Sequence, residues 1–130
     1  MTPRFDAIGI TVSDMSRSVA FYRLLGLEFP DGGEAEGHVE ALMPGGTRLM
    51  LDTEAVIASF DPSYEPPSGG GRIGLAFLCD GAAQVDETYA AMIDAGHRAK
   101  MEPFDAFWGQ RYATVFDPDG NLIDLFAPLG

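Results

Sequence analysis

Apolar residues along this chain fall into short blocks, each with its own period. Residues 5–12 (Phe-Asp-Ala-Ile-Gly-Ile-Thr-Val) are brief, carry β-branched side chains and end at Ser13-Asp14, which predicts a strand. Ser13 or Asp14 is placed to cap a helix. Met15, Val19, Tyr22 and Leu25 then recur at helical spacing, and Gly26 is suited to a left-handed stop. Leu27-Glu28-Phe29 predicts a brief second strand, and the polar, glycine-containing residues 30–37 a loop. Residues 38–42 alternate, Pro44-Gly45-Gly46 turns the chain, and residues 48–52 return as a further strand. Residues 53–60 predict a helical turn, and residues 61–72 read as a proline- and glycine-rich linker.

The same order then starts again. Residues 73–79 predict a strand. Residues 82–95 predict a helix with Val85, Tyr89 and Met92 on one face and Gly96 as its stop. Residues 97–101 predict another strand, residues 104–109 an aromatic loop, and residues 108–128 a hairpin. Its turn is Asp117-Pro118-Asp119-Gly120-Asn121: Pro118 presets φ, the aspartates bond nearby backbone, and Gly120 or Asn121 takes positive φ. A shift of 67 positions pairs Ala7 with Gly74, Ile8 with Leu75, Ile10 with Phe77, Val12 with Cys79, Tyr22 with Tyr89 and Leu25 with Met92. The closing hairpins pair through their turn glycines: Gly46 with Gly120, Leu49 with Ile123, Met50 with Asp124, Leu51 with Leu125. One domain of 130 residues is therefore expected, with a first module at 1–60, the linker at 61–72 and a second module at 73–130.

Composition narrows the function classes. An apolar fraction of 46% supplies a core and excludes a disordered chain. No apolar run has the length of a membrane span, and the N-terminus lacks the order of a secretory signal, so a cytoplasmic location is expected. The single cysteine, Cys79, excludes an internal disulfide, and its apolar strand setting predicts a buried structural thiol. A net charge of −12 argues against nucleic acid as a partner and against anionic membranes, and suits a cationic small ligand. There is no nucleophile elbow, P-loop or dinucleotide fingerprint; Gly69-Gly70-Gly71 lacks a following Lys-Ser/Thr.

Two clusters carry candidate chemistry. His38 and Glu40 share one face of a strand. With Asp52 they line a ligand pocket or form an unconventional metal set; otherwise they lie on a solvated sheet edge. Phe104, Phe107, Trp108 and Tyr112, interleaved with Asp105, Gln110 and Arg111, offer flat apolar walls with polar tips for an organic ligand; otherwise they fill the core or a dimer seam. His97 reads as a surface turn histidine.

Asp14, Ser18, Phe21, Tyr22 and Gly26 stand in a pattern that resembles the first module of the vicinal oxygen chelate superfamily, and Asp-Pro-Asp-Gly-Asn followed by Leu-Ile-Asp-Leu resembles its closing hairpin. That superfamily holds glyoxalase I, extradiol dioxygenases, fosfomycin-resistance transferases and bleomycin-resistance binding proteins. The resemblance implies an α+β fold, two βαβββ modules forming a cupped mixed sheet, and a homodimer with a small organic ligand. It also implies a divalent metal held by equivalent strands, at positions that fall here on Ala7, Met50, Gly74 and Asp124. Of these only Asp124 suits such an ion. The expectation is therefore a protein with no metal and no cofactor that binds a small molecule in the manner of the bleomycin-resistance proteins, sequestering an organic ligand or antibiotic. His38, Glu40, Asp52, Phe107, Trp108, Arg111, Tyr112 and Asp124 are its candidate contacts, and no residue is assigned a catalytic role. The alternative is a metal-dependent lyase, isomerase or dioxygenase with displaced ligands drawn from His38, Glu40, Asp52 and Asp124. A third is a structural dimer without a ligand.

Overall fold

The structure is a computed structural model that describes residues 2–68 and 72–130; Gly69-Gly70-Gly71 of the expected linker lies outside the described residues. The chain forms two compact units, Met1–Ser68 and Gly69–Gly130.

The first unit runs β1 (Ala7–Val12), α1 (Met15–Leu24), a 3-10 turn (Gly33–Ala35), β2 (His38–Leu42), β3 (Arg48–Thr53) and α2 (Glu54–Phe60). Its sheet has the order β1-β3-β2, parallel between β1 and β3 and antiparallel between β2 and β3. Asp14 caps α1 by accepting from the Arg17 N–H at 3.1 Å. Gly26, at φ +88°, closes it: its N–H bonds the Arg23 carbonyl and the Leu27 N–H returns to the Tyr22 carbonyl. Strand period two sorts the side chains. Val39, Ala41, Leu49 and Leu51 are buried and form a core with Val12, Val19, Phe21 and Tyr22, while His38, Glu40, Arg48, Met50 and Asp52 take the opposite, open face.

Residues 27–29 do not form the expected strand. The Leu27 N–H is spent on the helix it has just left, and Pro30 has no N–H to give a ladder. Phe29 is buried, so the apolar pattern reported core contact rather than strand pairing. Among the described residues this unit has three ladder strands.

The second unit gives the full βαβββ order: β4 (Gly74–Leu78), α3 (Ala82–Asp94), β5 (Ala99–Ala106), β6 (Gln110–Phe116) and β7 (Leu122–Pro128). The sheet order is β4-β7-β6-β5, with β4 parallel to β7 and the other pairs antiparallel. Helix α3 packs on one face of this sheet, over Ala113, Val115, Ile123 and Leu125, and contributes Val85 and Met92; all six are fully buried. The strand β5 extends further than expected: residues 104–106 lie in it, and only residues 107–109 form the turn. Its register with β6 shifts on either side of Met101, and Pro103 is tolerated because β5 is an edge strand. In the closing turn, buried Asp117 accepts from the backbone N–H groups of Asp119 and Asn121 and from the Asn121 side chain, and Gly120 takes φ +86°.

The repeat survives in register. Gly9 lies opposite Met50 across β1 and β3, and Ala76 lies opposite Asp124 across β4 and β7. Cys79 is buried, and that burial pushes its thiol above the ordinary range. No helix among the described residues is long and apolar enough to cross a membrane.

Candidate functional site

Asp124 sits on the open face of the second sheet, away from α3. The register builds that face in rows. One row is Ala76, Asp124, Thr114 and Met101; the next is Leu78, Phe126, Tyr112 and Phe104. Thr114, almost fully buried, donates its hydroxyl proton to Asp124 Oδ1 at 2.8 Å. The Tyr112 hydroxyl bonds Asp124 from the neighbouring row. Burial first, and then this bond, pushes the Tyr112 phenol above its ordinary range, so it stays protonated and serves as a donor.

The hairpin between β5 and β6 brings an aromatic wall to the same face. Trp108 meets Tyr112 edge-to-face at 5.3 Å between ring centroids, Phe104 at 6.2 Å and Phe107 at 5.0 Å. Phe104 and Tyr112 are 5.9 Å apart. The indole N–H donates to Gln110 Oε1 at 2.7 Å, which fixes the ring. Trp108 is half exposed and Phe107 is 96% exposed, so the rings keep free surface instead of filling the core.

Arg111 does not join this group. Strand alternation sends it to the α3 side, where it bonds both carboxylate oxygens of Asp86 and one of Asp105. The other three sequence candidates lie together in the first unit. His38 Nδ1 stands 2.6 Å from Asp52 and Nε2 2.7 Å from Glu40. Arg48 continues the chain, bonding Glu40 at 2.7 Å and also Asp6. The Glu40 bond, followed by the Asp52 bond, holds the His38 imidazolium above its ordinary pKa. Arg48, followed by His38, holds the Glu40 carboxyl below its own. The two carboxylates flank the ring on different nitrogens, so they do not converge with it on one ion. Arg48 and Asp6 completed this strip and were not among the candidate contacts; the register pairs Leu42–Arg48, beside Glu40, and Ala7–Arg48, beside Asp6, would have suggested them. An open hollow of about 420 Å³ lies beyond Asp6, lined by Arg4, Phe5 and residues 45–47, but its carboxylate already belongs to Arg48.

The family model described as the glyoxalase/bleomycin resistance protein/dioxygenase superfamily matches residues 4–125. The chain belongs to this superfamily. It is 30% identical over 125 residues to the uncharacterized protein YraH of Bacillus subtilis (strain 168), covering 94% of this chain and 96% of YraH. Among solved structures, a glyoxalase/bleomycin resistance protein/dioxygenase family enzyme from Burkholderia phytofirmans PsJN superposes with a TM-score of 0.82 at 17% identity, covering 98% of this chain and 100% of that one. The protein ATC0852 from Agrobacterium tumefaciens gives 0.72 at 26% identity, over 99% and 100% of the two chains.

The positions that the resemblance implies for a metal offer no donor set. Ala7 and Gly74 carry no ligand atom, and the Met50 methyl turns towards β1, 3.6 Å from where a Gly9 Cβ would stand. Position 74 is next to the carboxylate, since a Cβ there would lie 3.8 Å from Asp124 Oδ2 and 3.7 Å from the Leu122 Cβ, but glycine brings no donor to it. One carboxylate with two hydroxyl donors is not a divalent-cation site. Among the described residues no group of three or more His, Cys, Asp or Glu side chains is arranged to hold an ion.

Proposed function

We propose that this chain binds a small organic ligand on the open face of its second unit, without a catalytic metal. The observation that carries this reading is the meeting of exposed aromatic rings with a hydrogen-bonded carboxylate on one sheet face. Trp108, Phe104 and Tyr112 supply flat contact area, and Asp124 supplies orientation. Gly74 and Ala76 leave the β4 side of Asp124 without side-chain bulk, which gives a ligand access to it. The lack of a metal donor at position 74, beside Asp124, favours ligand contact over ion chelation on this face.

Native mass spectrometry of the protein purified without chelators, with elemental analysis, tests the reading, because it reports metal, retained ligand and copy number together. The expected result is no stoichiometric metal, a homodimer, and titratable quenching of the one tryptophan by aromatic compounds. Tightly held Ni²⁺, Zn²⁺, Fe²⁺ or Mn²⁺ at one ion per chain overturns it.

A further inference from the structure

We infer that this face selects ligands that are positively charged hydrogen-bond donors, flat organic cations such as an aromatic amidinium or a protonated ring amine. The inference rests on the binding reading above and adds the charge and polarity of what is bound. It comes from accounting for protons. Thr114 gives its only hydroxyl proton to Asp124, and Tyr112 also donates there. What remains at this spot is the acceptor capacity of the carboxylate, since Thr114 is almost fully buried. The Trp108 N–H is committed to Gln110.

No basic side chain is paired with the carboxylate. Arg111 is on the α3 side with Asp86 and Asp105, and Arg98 lies over the Phe116 ring at 4.7 Å, in the next row of the same face, without an ion pair to Asp124. Among the described residues no ion pair reaches Asp124, while residues 69–130 carry nine acidic against four basic side chains. A ligand that brings an anion is repelled by the Asp124 carboxylate. A ligand that brings N⁺–H groups meets a carboxylate, and its ring meets the negative faces of Trp108 and Tyr112.

Three probes sharing one naphthalene ring and differing only in substituent, an amidinium, an amide and a carboxylate, test this by calorimetry and Trp108 fluorescence. The amidinium is expected to bind about tenfold or more tighter than the amide, as a charge-assisted bond exceeds a neutral one, and the carboxylate weakest. Asp124→Asn is expected to abolish the amidinium preference. If that variant fails to fold, added salt on the wild-type chain serves instead: it is expected to weaken the amidinium alone. Equal affinities, a preference that survives Asp124→Asn, or a salt-independent preference overturns the inference and leaves the binding reading standing. Failure of all three probes to bind overturns both. Stoichiometric displacement of the amidinium by Zn²⁺ or Ni²⁺ assigns the acceptors to a metal and overturns both as well.

Discussion

On the open face of the first unit, Asp6, Glu40 and Asp52 are answered by Arg48 and His38; on that of the second, Asp124 is answered by two neutral hydroxyls. The two faces hold equivalent places in the repeat, each opposite a buried set built from the same strand positions, Leu49 and Leu51 in one and Ile123 and Leu125 in the other. A ligand cation arriving at the first face must displace an internal one. At the second it finds a carboxylate with no ion-pair partner among the described residues, beside rings that keep free surface. Duplicated scaffolds thus diverge through the side chains that point away from the core, because those are free of the packing constraint that keeps the inner positions apolar.

The strongest challenge to the claim of equivalent scaffolds comes from the core. Leu51→Ala and Leu125→Ala each delete a fully buried side chain, and each is expected to cost about 2–5 kcal/mol in urea unfolding. Similar losses support equal structural roles for the paired positions. A loss under about 1 kcal/mol in one of them would show that its sheet contributes little to the cooperative fold.

Thr114→Val comes next and sharpens the contrast between the faces. It keeps the shape of a buried residue and removes one of the donors to Asp124, so a destabilisation of about 1–3 kcal/mol is expected, read by denaturant midpoint. Arg48→Met, made in the solvent-exposed strip, is expected to shift the midpoint much less. Trp108→Ala removes a half-exposed ring with three edge contacts. It should lower stability by only about 1 kcal/mol while weakening an aromatic ligand about tenfold. If instead it unfolds the protein without changing ligand affinity, the rings belong to the core and not to a site.

The strands, the helices and the closing hairpin were legible because period and turn chemistry are local properties. The Asp117 turn and the Gly26 stop stand where their residues predict. Residues 27–29 misled because a buried Phe29 looks alike whether or not its backbone finds a ladder. Residues 104–106 misled because an edge strand tolerates Pro103 and register shifts. At the site, Trp108, Tyr112 and Asp124 could be named from sequence, but not the Thr114 bond, which depends on the register of β6 against β7. Arg111 was separated from them by a single step of alternation, which the composition of the cluster alone does not reveal.

The smallest expected effect concerns protonation of the first face. Two carboxylates accept from the two nitrogens of His38, and both bonds need both protons on the ring. The imidazolium is thereby held above the ordinary value of 6.5, so its contribution to stability is full below pH 6.5 and is lost as pH rises through the raised folded value. Glu40 works in the opposite sense. Its carboxyl is depressed below 4.5, and its contribution is present above that pH and lost as pH falls through the lowered folded value. The strip is therefore complete in the window between these limits. His38→Asn is expected to flatten the alkaline side of the stability profile and leave the acid side nearly as it was. The side chain is 44% exposed, so the change is small and diminishes with added salt. NMR titration of the His38 ring gives the independent check. A midpoint at or below 6.5 would mean that the two carboxylates do not grip the ring in solution, and the first face would then be as free to receive a cation as the second.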